Sequence, residues 1–130
     1  MFRAVLIAAL WAVFSWPALA GPNGFEVGEE AGFGYACTYN AAETIADAAA
    51  QHSTTLAKQR HTLAAEHGLC QSIPGAMGKI VGVENMTDVD GVEIQLLKIT
   101  FAGLEGREYG LVVTRKAAIE FWERSQGEAT

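Results

Sequence analysis

Three extended runs dominate the second half of the chain. Lys79 to Glu84, Gly91 to Phe101 and Tyr109 to Thr114 are rich in Val, Ile and Leu, and glycine and aspartate turn signals separate them. The connections have hairpin lengths. Asp90-Gly91 marks a tight turn between the first two runs, and Gly103-Leu104-Glu105-Gly106-Arg107 joins the second to the third. The pattern predicts three antiparallel strands in sequence order, a β part spanning residues 78–115. In the middle run Val92, Ile94 and Leu96 keep one alternation phase, and Leu97, Ile99 and Phe101 keep the opposite one. A flat strand would send these sets to opposite faces. Either the strand is buried on both sides, or a bulge or bend near Leu96-Leu97 turns both sets inward. The bend is the preferred reading, because so short a chain has little with which to cover two faces.

Upstream, the spacing turns helical. Ile45, Ala49, His52, Leu56 and Leu63 recur on one face. Asn40 is a favoured N-cap, with Glu43 three residues on as in a capping box. Gly68 fits the residue just past a helix end, with apolar Leu69 beyond it. A helical part over residues 40–68 follows. Phe33, Tyr35 and Cys37 alternate with small residues, which suits a short strand at the sheet edge or an extended linker. Gly21 to Gly32, with Glu26, Glu29 and Glu30, reads as an irregular, solvated lead-in. After Thr114 a short helix over 117–124 carries Ile119 and Trp122 on one face, and a polar tail ends the chain.

The first twenty residues change the picture. Arg3, an apolar run of about 13 residues from Ala4 to Trp16, and Pro17-Ala18-Leu19-Ala20 form the three parts of a secretory signal peptide, cut after Ala20. The run is short for a membrane span, which needs about 20 residues. The mature chain, residues 21–130, suits one exported α+β domain. Loss of Arg3 takes the formal charge from −6 to −7. An acidic chain with no basic stripe argues against nucleic acid and anionic membranes, and leaves room for a basic partner.

In an oxidising compartment, Cys37 and Cys70 are most simply a disulfide. They flank the helical part. One straight helix there would be about 40 Å long, whereas bridged Cα atoms lie within about 7 Å. An intrachain bridge therefore requires a break, placed at His52-Ser53-Thr54-Thr55, where weak helix formers cluster. The expected fold is an N-terminal helical hairpin stapled at its two ends by the disulfide, followed by a small curved antiparallel sheet or SH3-like barrel. One long helix with intermolecular pairing is the alternative.

From Gly78 to Phe121 the chain resembles a bacterial SH3-like domain. Carrying the likeness are Gly103-Leu104-Glu105-Gly106, the Gly110-Leu111-Val112 run where that family often has Gly-Trp-Val, and a short helical turn before the last piece. The resemblance implies a non-catalytic module that binds peptides, cell-wall fragments or neighbouring domains, often through an aromatic-lined groove. A cystatin-like α+β fold, with helical structure before a curved sheet, is a second candidate.

Catalytic and metal signals are weak. His52, His61 and His67 lack the i, i+4 spacing of a helical metal clamp, so no metal site or cofactor is expected. Asp88, Asp90 and Glu93 flank a glycine turn and suit a polar hairpin tip better than a calcium loop. Cys37 before a helix, His67 three residues before Cys70, and Ser53 beside His52 permit a small cysteine or histidine enzyme, but no orienting group or oxyanion site can be named. The expected function is that of a small non-catalytic exported protein, periplasmic or secreted, binding an envelope component or another exported protein. Its candidate binding residues are Tyr35, Arg107, Tyr109 and Trp122. An inhibitor of a basic wall-degrading enzyme is the related alternative.

Overall fold

The computed structural model describes residues 24–75 and 77–129, without the side chains of residues 122 and 125–129. The leader pattern of residues 1–20 lies outside the described residues. The elements run β1 (Glu30–Ala31), β2 (Gly34–Thr38), α1 (Tyr39–Gln51), α2 (Thr54–Glu66), β3 (Cys70–Ile73), β4 (Gly78–Thr87), β5 (Glu93–Phe101), β6 (Tyr109–Thr114) and α3 (Arg115–Ala129).

The three long strands β4, β5 and β6 pair as consecutive antiparallel hairpins, as their patterns require. The full sheet has the order β1-β4-β5-β6-β2-β3, and every pairing is antiparallel. It curls into an open half-barrel. Each hairpin turn uses the chemistry its sequence offers. Asp88 accepts hydrogen bonds on Oδ1 from the backbone N–H groups of Asp90 (2.8 Å) and Val92 (2.9 Å), and Gly91 takes φ +84°.

The helical segment is broken where weak helix formers cluster. Helix α1 ends at Gln51, and α2 begins at Thr54 with Ser53 as its cap; Ser53 Oγ accepts from Leu56 N–H at 3.0 Å. At the far end of α2 the backbone closes a Schellman motif. Leu69 N–H donates to Ala64 O, Gly68 N–H donates to Ala65 O, and Gly68 sits at φ +75°. The start of α1 differs from expectation. Its cap is Thr38, whose Oγ1 accepts from Ala41 N–H at 3.3 Å, and Asn40 already lies inside the helix. Strand β2 runs directly into α1, so the residue that leaves the strand also caps the helix.

The disulfide joins Cys37 to Cys70, as the cysteine count suggested, but it does not staple the hairpin itself. Cys37 lies in β2 and Cys70 in β3, and they face each other in the antiparallel register. The bridge locks the two strands that lead into and out of the helices. Thr38 alone separates Cys37 from α1, and His67, Gly68 and Leu69 separate α2 from Cys70.

The expected bend in the middle strand is also corrected. Strand β5 pairs with β6 in unbroken register from Ile94 to Ile99. The irregularity sits on the neighbouring strand β4, between Ile80 and Gly82, where Val81 is the extra residue and is exposed. Leu96 and Leu97 therefore point to opposite faces, and both faces are covered. On one face Ile94 and Leu96 pack with Ile45, Ala46 and Ala49 of α1 and with Ala57 and Ala64 of α2. On the other, Leu97, Ile99 and Phe101 pack with Ile80, Tyr109, Phe25 and Ala118.

The second cover comes from two places that the sequence reading left in solvent or cut short. The lead-in contributes buried Phe25, whose ring lies 5.6 Å from both Phe33 and Phe121. Helix α3, longer than the expected 117–124, contributes Ala118 and Phe121. Gln95 fastens the lead-in from within the sheet. Its side chain is 2% exposed, accepts from Phe25 N–H at 2.9 Å, and donates to Phe25 O at 3.1 Å and Asn85 Oδ1 at 3.0 Å. No helix of the described residues is long and apolar enough to cross a membrane.

Candidate functional site

The helical hairpin lies over β2 and β6, and a cleft of about 230 Å³ opens between them. Its floor is apolar and buried: Cys37 from β2, Ala42 and Ile45 from α1, and Ala57 from α2. Small side chains create the space. Alanines at 42 and 57 let the helices come close to the sheet while leaving a hollow between them. The rim is polar, made of Tyr35 from β2 with Lys58 and His61 from α2. Tyr35 and His61 hold each other. The phenol oxygen lies 2.8 Å from His61 Nε2, and the two rings meet edge to face at 5.9 Å.

The disulfide forms one wall of this region. Cys37 and Cys70 are 3% and 5% exposed. A ring nitrogen of the exposed His61 and the two sulfurs all lie within 4.8 Å of one another. Among the described residues this is the one cluster of three metal-ligating side chains. Neither cysteine is free, so in this state no thiolate is present to act as nucleophile or ligand.

The residues singled out from sequence scatter. Tyr35 lines the cleft. Tyr109 does not; it is 5% exposed, with its ring edge-on to Phe101 at 5.3 Å, and serves the core. Arg107 stands exposed in the turn between β5 and β6. Trp122 falls in α3, but its side chain lies outside the described residues. Of the histidines, His52 and His67 occupy the C-terminal caps of α1 and α2. His67 is absent from the sulfur cluster, and His61 takes the place that sequence proximity offered to it. Ser53 is occupied as a cap, and the Asp88 carboxylate as the organiser of its turn.

Lys58 and His61 were missed as site residues. The sequence marks Lys58 only as a basic residue late in the helical part, and His61 as one of three histidines without the spacing of a metal clamp. Nothing local in the sequence signals that α2 folds back onto β2, which is what brings His61 to the sulfurs.

Elsewhere, Glu29 is the one carboxyl among the described residues strongly pushed from its ordinary range. Burial raises it to about 7, a hydrogen bond from Glu26 N–H at 2.8 Å opposes the rise, and the charge of Glu26 adds to it. It supports the packing of the lead-in and lines none of the cleft.

Comparison with family models, curated proteins and solved structures returns no significant match.

Proposed function

We propose that this chain is a small, non-catalytic exported protein that recognises a partner in the exported space by seating one apolar group in the cleft beside the disulfide. The observation that supports this reading is the pairing of a buried apolar floor with a rim of Tyr35, Lys58 and His61. Apolar hollows with a few convergent polar groups are the ordinary form of a binding site. A volume of about 230 Å³ is small beside the roughly 300–1,000 Å³ of drug-sized ligand sites. It suits a single large side chain or a short acyl or aryl end, the anchor-in-pocket arrangement of protein interfaces.

Lys58 and His61 at the mouth match a carboxylate flanking that apolar anchor. The net charge of −6 favours a partner whose wider surface is basic. An inhibitor of a basic wall-degrading enzyme is one such case. Export rests on the leader pattern of residues 1–20. The resemblance of residues 78–121 to bacterial SH3-like modules agrees with a binding role and adds no residue to the site.

The test is capture from an envelope extract by the mature chain and by three variants. Tyr35→Ala and Lys58→Glu are expected to lower recovery of the specific partner at least tenfold, while Arg107→Ala leaves it unchanged. Equal recovery by wild type, Tyr35→Ala and Lys58→Glu would remove the cleft as the site.

A further inference from the structure

The side chains around the disulfide are a metal-ligand set held in its oxidised form. Two sulfurs and one imidazole nitrogen stand within 4.8 Å of one another, contributed by β2, β3 and α2. Two cysteines and a histidine are the donor set of three-ligand zinc centres, which leave a fourth position to water. We propose that reduction of the Cys37–Cys70 bridge turns this cluster into a site for a thiophilic d10 cation, with Zn²⁺ as the type ion, bound by Cys37, Cys70 and His61.

The chemistry balances with a dithiol as reductant. The dithiol gives two electrons and two protons to the bridge and leaves as its own disulfide, while the S–S bond becomes two thiols. Zinc then binds both sulfurs as thiolates and one nitrogen of neutral His61, and the two thiol protons pass to solvent.

The backbone suits both states. Zn–S bonds of about 2.3 Å in a tetrahedral centre separate the sulfurs by roughly 3.7 Å. The Cα atoms of Cys37 and Cys70 stand 3.8 Å apart, and bridged Cβ atoms lie about 3.8 Å apart, so turning the two Cβ–Sγ bonds from converging to parallel brings the sulfurs to that spacing while the strands stay paired. Two of the three ligands are fixed by the β2–β3 register and the third by a helix.

Tyr35 completes the arrangement. Its hydroxyl is hydrogen-bonded to His61 Nε2, the kind of outer partner that orients a ligating imidazole. Tyr35 is thus a positioning residue for metal binding, whatever else it contacts in the cleft. Zinc binding by the reduced chain needs no partner protein, so its test is independent of the recognition reading.

The experiment is a zinc titration of the purified mature chain against a chromophoric chelator, with and without prior reduction by a phosphine, followed by circular dichroism. The reduced wild type is expected to bind one equivalent of zinc with its helical signal kept or restored, and the oxidised chain none. His61→Ala should weaken binding more than tenfold and Tyr35→Phe about tenfold, while His52→Ala and His67→Ala leave it unchanged. Three results overturn the proposal: no zinc bound after reduction, binding indifferent to His61, or zinc taken up by a reduced chain that stays unfolded. Equal binding by the oxidised chain overturns it as well.

Discussion

Gly110 shows how closely the helices sit on the sheet. A Cβ at this position would meet the Cβ of Ala42 at 2.7 Å, Tyr39 Cδ1 at 3.1 Å and the carbonyl oxygen of Leu97 at 3.2 Å. The sequence reading took Gly110 as part of a Gly-Leu-Val strand motif. Its reason is steric, since α1 crosses β6 here. Gly110→Ala is expected to destabilise the fold by about 1–3 kcal/mol, read from the denaturation midpoint; an unchanged midpoint would show that α1 sits further away. Glu29 gives a second expectation. Its folded pKa of about 7 lies above the ordinary value of 4.5, so the folded chain holds a proton that the unfolded chain releases. The sign follows from linkage: stability is greatest below pH 4.5 as far as this group is concerned, and falls as pH rises through 7. Denaturation at pH 5 and pH 8 should show a loss in the wild type that is absent in Glu29→Gln. A loss of equal size in both proteins would assign the pH dependence to other groups. Neither effect could be read from sequence, because each depends on what a distant element brings to the residue.

At the scale of elements, local chemistry was largely legible. The break at Ser53, the glycine end of α2, the Asp88 turn and the three long strands all rest on short-range preferences that tertiary packing did not override. Misreadings arose where one element runs into another. Asn40 has the better capping side chain, yet Thr38 caps α1 because β2 hydrogen-bonds up to that residue. The sequence reading gave Gln95 no role of its own. In the fold it is the clasp that satisfies the backbone of Phe25 on both its N–H and its carbonyl. Gln95→Ala leaves those buried groups without partners, at about 1–3 kcal/mol for an unsatisfied group. The expected result is a destabilised chain in which protease reaches the lead-in first. Wild-type stability and protection there would mean that Phe25 is not held by this contact.

For the molecule as a whole, the two alternation phases of β5 already stated that both faces are buried. The single-core reading was preferred on chain length, and it failed because Phe25, Ala118 and Phe121 supply a second cover. The lead-in had been set aside as polar on the strength of three glutamates, one of which is itself buried. The cleft was less legible than the fold. Tyr35 was identified, but its partners Lys58 and His61 reach it only through the folding back of α2, which the disulfide across β2 and β3 holds in place. The proposed recognition site and the proposed metal site both require Cys37 and Cys70 to face each other within one chain. Non-reducing mass spectrometry of the purified protein, with mapping of the linked peptides, tests this directly. A monomer lighter than its formula by the two thiol hydrogens, with Cys37 joined to Cys70, is the predicted result. Free thiols, or a dimer joined through these cysteines, would contradict it.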